Sequence, residues 1–166
     1  VLQRNQVTDY LKILGQNERK FLRDQGVKFG RYHVFLHKLI KPEAVSLRTL
    51  LWKNYHQKYF NLKPPVFGLN FLENDKIKNR NFMLLCGFEK FDNFYVRIYI
   101  LERLFVQIIN SNTEKNEIKL IPEMLNLLGC NKDNFKKLLK IMCYKVFEKN
   151  NDIFFKYNPR KSKNKV

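Results

Sequence analysis

The pattern that most constrains the fold lies in the last third of the chain, from Leu120 to Val166. Pro122 is typical of the first turn of a helix and Gly129 of the residue that follows one, so a short helix is predicted between them. Asn131 can cap a second helix. Apolar residues recur in this second helix at the spacing of one buried face, namely Phe135, Leu138, Leu139 and Met142.

A β-hairpin is predicted directly after these two helices. Residues 144–147 and 153–157 have strand character, and Asn150, Asn151 and Asp152 form a typical turn between them. An amphipathic helix at about 98–110 would precede the unit, because apolar residues recur there at helical spacing. Three helices and a hairpin are the outline of a winged helix-turn-helix, which commonly presents its second motif helix and its wing to a nucleic-acid backbone.

The rest of the chain predicts helices around 7–14, 17–25 and from Pro42 onward, with an extended segment at 27–36. The helix after Pro42 carries an apolar stripe that predicts the core of the N-terminal half there. It consists of Ala44, Leu47, Leu51 and Tyr55, widened by Leu50 and Trp52. Pro64 and Pro65 interrupt any helix. No internal repeat of 20 to 50 residues is evident.

We therefore predict an α+β fold that is mostly α. The predicted divisions are a helical subdomain with one extended segment (1–60), a linker or long loop (61–81), a winged-helix-like nucleic-acid-binding subdomain (82–157) and a basic disordered tail (158–166).

The charge of the chain indicates a polyanionic partner. Lysine and arginine number 32 against 15 acidic residues, so the formal net charge is +17. Drift of an AT-rich coding sequence toward lysine, asparagine, isoleucine, phenylalanine and tyrosine is an alternative reason for part of this surplus. No run of about 18 apolar residues exists, so no membrane partner is predicted.

Basic residues of the last third are the candidate nucleic-acid contacts. They are Lys132, Lys136, Lys137, Lys140, Lys145, Lys149, Lys156, Arg160, Lys161 and Lys163. The alternatives are an ordinary solvated helix face and a tail that only aids solubility. A secondary candidate set mixes cations with a ring, as single-stranded nucleic-acid sites do, and consists of Lys28, Arg31, Tyr32 and His33. A half-buried strand with polar outward residues would look the same.

Catalytic and cofactor signatures are missing from the sequence. It contains no GxxxxGK[ST] or GxGxxG motif, and its three cysteines form no CxxC pair. The histidines have no acidic or cysteine partner at ligand spacing, so no metal site is predicted. Glu102 and Arg103 are most simply a surface pair. The sequence therefore predicts a binding segment without cofactor, in a reducing compartment.

Several short segments follow one another in an order that resembles a known family. They are 26–36 (GVKFGRYHVFL), 39–44 (LIKPEA), 50–52 (LLW), 86–88 (CGF), 96–98 (VRI), 101–104 (LERL) and 122–131 (PEMLNLLGCN). Together they resemble the C-terminal region of alphaproteobacterial helicase-related proteins akin to the mitochondrial degradosome RNA helicases. The resemblance covers most of residues 14–145, and the chain is richer in lysine and asparagine than those arginine-rich proteins.

The resemblance implies a superfamily-two ATP-dependent helicase whose two motor domains, with their ATP and Mg²⁺, lie upstream of Val1. This segment would then bind the unwound strand or dock the helicase on structured RNA, with RNA favoured over DNA. The implied location is the bacterial cytoplasm or the mitochondrial matrix.

Two other functions stay open at this stage. One is a winged-helix DNA-binding regulator, for which only Asn131 and Asn134 could read bases on the second motif helix. The other is a protein-docking module for a ribonuclease or ribosomal partner, which an exposed apolar patch around Trp52 and Tyr55 would favour.

Overall fold

The computed structural model describes residues 1–73, 79–111 and 116–158. The chain divides into two compact units, Val1–Glu102 and Arg103–Val166. Both combine helices with small antiparallel sheets, so the predicted α+β class is confirmed. The segment 61–81, predicted as a linker, lies within the first unit, and most of the predicted tail lies outside the described residues.

The first unit contains four complete α-helices, three short 3-10 helices (Arg4–Val7, His37–Ile40 and Gln57–Tyr59) and six strands among its described residues. The helices are α1 (Thr8–Ile13), α2 (Gln16–Asp24), α3 (Pro42–Tyr55) and α4 (Arg80–Leu85). The strands are β1 (Leu2–Gln3), β2 (Val27–Phe29), β3 (His33–Leu36), β4 (Phe71–Glu73), β5 (Phe88–Phe91) and β6 (Phe94–Arg97). They form two antiparallel sheets of order β1-β3-β2 and β4-β6-β5. Helix α5 (Ile98–Asn110) follows and continues into the second unit.

The main core cluster of the first unit is built around α4 and the β5–β6 hairpin. Its buried members are Val45, Phe82, Met83, Cys86, Phe88 and Tyr95. Helix α3 contributes only Val45 and Thr49 as buried residues. The stripe predicted as core is exposed instead, with Leu47 at 58%, Leu51 at 59% and Tyr55 at 83%. The prediction is therefore wrong for these three residues, because the helix buries a neighbouring stripe, whereas Trp52 does pack against the core cluster.

The second unit begins within α5 and continues with two helices and three strands. They are β7 (Ile118–Lys119), α6 (Pro122–Leu128), α7 (Lys132–Ile141), β8 (Tyr144–Lys149) and β9 (Asp152–Tyr157), with sheet order β7-β9-β8. Helix α6 starts at Pro122 and ends before Gly129, as the sequence predicts. The side chain of Asn131 caps α7 by accepting a 2.8 Å hydrogen bond from the backbone of Asn134.

The same supersecondary pattern occurs three times along the chain. In each copy a short strand is followed by helix and then by a hairpin, and the first strand pairs with the second strand of that hairpin. We call these copies module 1 (β1 to β3), module 2 (β4 to β6) and module 3 (β7 to β9). Helices α3 and α5 precede modules 2 and 3 respectively.

The strand register is identical in the three modules. In each hairpin, the first residue of the first strand pairs with a residue of the second strand, which is Leu36, Arg97 or Tyr157. The short strand that begins the module pairs with the residue two positions before this one. The pairs at this position are Leu2↔Val34, Leu72↔Tyr95 and Ile118↔Phe155.

The helix before each hairpin also ends in the same way. A residue with positive φ connects helix to strand in every module, and these residues are Gly26 (φ +91°), Gly87 (φ +84°) and Cys143 (φ +67°). Each donates a backbone hydrogen bond to the carbonyl three residues earlier, at 2.8, 3.0 and 3.2 Å respectively. The chain thus contains a structural repeat that no sequence period of 20 to 50 residues indicates.

Cys143 is the strained member of this set, because a side chain with a Cβ atom adopts the left-handed conformation at a cost that glycine avoids. We expect Cys143→Gly to increase the free energy of unfolding by about 0.5–1 kcal/mol. Urea denaturation measures this change. Cys143→Ala is the matched control, since it removes the thiol and keeps the strain; an equal gain in that variant would contradict the explanation.

Candidate nucleic-acid interface

Helix α7 separates apolar and basic residues onto two faces. Phe135, Leu138 and Leu139 are fully buried. Lys137 and Lys140 are exposed on the other side, together with Lys132 at the start of the helix. This separation follows from the 3.6-residue period of the helix. Three predicted contact residues are therefore available to a ligand on one helix.

Lys136 is held differently from the other lysines of α7. Its Nζ donates a 2.9 Å hydrogen bond to Oε1 of Glu148 on β8. This hydrogen bond raises the pKa of Lys136 and lowers the pKa of Glu148. A solvent-exposed pair of this kind stabilises little. It does link α7 to the hairpin, and it partly neutralises one predicted contact residue.

The outer face of the β8–β9 hairpin places like charges next to each other. Lys145 and Lys156 are directly opposite in the strand register, and both side chains are exposed. Like charges in this arrangement destabilise a hairpin. The next pair on the same face is Phe147 and Phe154, whose rings stack with centroids 6.2 Å apart. An anion bound beside Lys145 and Lys156 would relieve their repulsion.

A surface groove of about 500 Å³ runs along this face. It is lined by Glu117, Lys145, Phe147, Lys149, Lys156, Tyr157 and Asn158. Lys149 donates a 2.7 Å hydrogen bond to Glu117 and lies 5.1 Å from the ring centroid of Phe147. Binding sites for single-stranded nucleic acids combine cations, which contact the phosphates, with aromatic rings, which stack on the bases.

The predicted lysines thus fall on two surfaces of the second unit. Lys145, Lys149 and Lys156 meet at the groove, whereas Lys132, Lys137 and Lys140 lie on helix α7, whose residues do not line it. The predicted tail contacts Arg160, Lys161 and Lys163 lie outside the described residues.

The secondary candidate set lies in the β2–β3 hairpin, and its histidine is buried. His33 is only 2% exposed, with its Nε2 3.0 Å from Glu89 and its Nδ1 3.2 Å from Glu102. The side chain of His33 therefore cannot contact a ligand. Lys28 and Arg31 remain exposed, and Tyr32 is half-buried.

Glu102 anchors the same hairpin from helix α5. Its carboxylate accepts hydrogen bonds from the backbone N–H groups of Arg31, Tyr32 and His33, at 2.6, 3.1 and 3.0 Å. A Cβ atom at Gly30 would overlap this carboxylate, so a side chain there would force Glu102 to shift. The interpretation of Glu102 as part of a surface pair is wrong, because the hairpin turn folds over it.

Glu89 is the second carboxylate of this buried network. Burial would raise its pKa, but hydrogen bonds from His33, Gln3, Arg80 and the backbone of Lys90 outweigh burial and lower the pKa to about 2. Burial would likewise lower the pKa of His33, and its hydrogen bonds to Glu102 and Glu89 raise it instead. A histidine between two carboxylates has a structural role here, since its polar atoms are sequestered from solvent.

Comparison of the chain with protein-family models, curated protein sequences and solved structures gives no match. Among the residues that the structure describes, no helix has the length and hydrophobicity that crossing a bilayer requires. The same residues contain no group of three or more His, Cys, Asp or Glu side chains arranged to hold a metal ion.

Proposed function

We propose that the chain binds the phosphate backbone of a nucleic acid through module 3. The observation that carries this proposal is a set of exposed lysines that form no salt bridge among the described residues. The set comprises Lys132, Lys137, Lys140, Lys145 and Lys156. Lysines that neutralise phosphates release condensed counterions, and this release supplies much of the affinity of a protein for a nucleic acid.

The proposed architecture of this site is a winged helix formed by α5 and module 3. Its support is the order of helix, strand, two helices and two strands, with the first strand paired to the last. In that architecture α7 is the helix presented to the ligand and the β8–β9 hairpin is the wing. Both elements carry exposed lysines, which is consistent with a ligand contacting both.

The proposed context is an ATP-dependent RNA helicase. This part of the proposal depends on the sequence resemblance alone. In such a protein ATP and Mg²⁺ act in motor domains that precede this segment, and the segment contributes RNA binding in the bacterial cytoplasm or the mitochondrial matrix.

Two observations bear on the alternatives. A base-reading DNA regulator is disfavoured, because Asn134 is buried and the side chain of Asn131 caps α7. A protein-docking role is the second candidate, because α3 exposes a row of apolar side chains: Leu47, Leu50, Leu51 and Tyr55. A ribonuclease or ribosomal protein is the class of partner proposed for this face.

Fluorescence anisotropy with single-stranded RNA, single-stranded DNA and duplex RNA of matched length tests the proposed function. We expect binding to all three through their phosphates, with a preference for single strands because the rings beside the lysines can stack on unpaired bases. The preference for RNA over DNA is proposed from the sequence resemblance alone. Absence of binding to all three at low salt would reject the proposal and leave protein docking on α3 as the better function.

A further inference from the structure

Module 1 carries the same arrangement of basic residues as module 3. Modules 1 and 3 can be aligned at the residue with positive φ that connects the second helix to the hairpin, which is Gly26 or Cys143. This alignment matches four basic positions. They lie seven, six and three residues before this residue and two residues after it. The matched pairs are Arg19/Lys136, Lys20/Lys137, Arg23/Lys140 and Lys28/Lys145.

The exposure of these residues matches as well. The first position is half-buried and engaged in both modules: Arg19 donates to the carbonyls of Leu14 and Leu11 at 3.0 and 2.6 Å, and Lys136 donates to Glu148. The other three positions are exposed in both modules. Within the described part of the chain, Lys20, Arg23 and Lys28 form no ion pair, including with Glu18 or Asp24 on the same helix.

Module 2 shows that the fold does not impose these charges. Its residues at the four positions are Arg80, Asn81, Leu84 and Glu89, and Arg80 is bound to Glu89 at 3.0 Å. A compositional drift toward lysine would act on all three modules alike. Modules 1 and 3 instead have an exposed basic face. In module 2 the basic residue is paired with Glu89, and the module contributes to the core of the first unit.

We propose that Lys20, Arg23 and Lys28 form a second phosphate-binding face for nucleic acid, on α2 and β2 of module 1. The inference rests on the proposed function, since it assigns to module 1 the ligand class proposed for module 3.

The test is the affinity of the full chain for a labelled single-stranded RNA of about 30 nucleotides. The variant Lys20→Glu/Arg23→Glu/Lys28→Glu is compared with Lys58→Glu/Lys63→Glu/Lys90→Glu, whose three residues are exposed and lie outside the aligned positions. Both variants change the formal net charge from +17 to +11, by three reversals of two charges each. We expect the module 1 variant to bind about 10-fold or more weakly than the control variant.

Equal affinities of the two variants would overturn the second face, because only total charge would then matter. If the module 1 variant fails to fold, judged by its circular dichroism, the corresponding glutamine variant takes its place. Charge reversal of the module 3 lysines separates the two proposals. If RNA binding is weakened by reversal in module 3 but not by reversal in module 1, the proposed function is retained and the second face is rejected. Binding of the chain to anionic vesicles but not to RNA or DNA would overturn both.

Discussion

Reversing the charge of Lys137, Lys140 and Lys145 together is expected to weaken binding to single-stranded RNA by on the order of 100-fold at about 0.1 M salt. Each of these lysines is exposed, and none has an acidic partner among the described residues. Loss of a charge-assisted phosphate contact costs about 1 kcal/mol or more of binding free energy. The costs of three such losses add, so the corresponding decreases in affinity multiply. The decrease should be similar for different RNA sequences, because phosphate contacts carry no base information.

The fold should survive this substitution. The three side chains lie on the solvent side of α7 and β8, opposite the buried Phe135, Leu138 and Leu139. Lys136 is left unchanged, because its replacement would also remove the hydrogen bond to Glu148 and confuse binding with stability. The control is Lys58→Glu/Lys63→Glu/Lys90→Glu, which has the same net charge. A folded module 3 variant with the affinity of this control would remove the α7 and β8 lysines from the binding site.

Replacing Glu89 by glutamine should destabilise the first unit by about 3 kcal/mol at about pH 6, where both Glu89 and His33 are charged. The glutamine retains the shape of Glu89, but it leaves the buried imidazolium of His33 with Glu102 as its single remaining carboxylate and weakens the contact with Arg80. Urea denaturation followed by circular dichroism measures the loss. Glu43→Gln, at an exposed position in the first turn of α3, is the control and should change stability by less than about 0.5 kcal/mol.

The same network predicts a pH dependence of stability. The pKa of Glu89 falls from 4.5 to about 2 in the folded chain, so its contribution is present above pH 4.5 and is lost as the pH falls toward 2. The pKa of His33 is raised above 6.5, so its contribution is present below pH 6.5 and is lost as the pH rises through the folded value. Stability should be greatest between these limits. An unchanged acid limb of the pH profile in Glu89→Gln would contradict this assignment.

The C-terminal third was the most predictable part of the fold, because its signals are local. Pro122, Gly129 and Asn131 act within one helical turn, and the structure places the ends of α6 and α7 at these residues. The lysines of α7 were also predictable, since the buried face of an amphipathic helix determines which side is exposed. Sequence could not reveal that Lys136 binds Glu148, because this contact depends on how the hairpin packs.

The N-terminal part was less predictable, because its key contacts join residues that are far apart in sequence. His33 meets Glu89 and Glu102 across 56 and 69 positions. No local pattern distinguishes these buried carboxylates from ordinary surface acids. The apolar residues of α3 gave a clear helical stripe, yet tertiary packing selected the neighbouring face through Val45 and Thr49.

The repeat leaves only a partial signal in the sequence, because the residue that connects helix to hairpin is glycine in two modules and cysteine in the third. Gly26 and Gly87 each stand between a helix and a hairpin, where positive φ favours glycine. In module 3 the same position is Cys143, so the glycine signal is missing where the rest of the pattern is clearest. Only the strand register made the equivalence of the three modules evident.

The salt dependence of RNA binding by the unaltered chain tests the central claim most directly. Anisotropy titrations from about 50 to 300 mM salt should give a straight line of log affinity against log salt. Five exposed lysines on module 3, each contacting one phosphate of a single strand, predict a slope of about −3 to −4, and a steeper slope if module 1 also binds. A slope near zero, or no binding at the lowest salt, would contradict a phosphate-binding function.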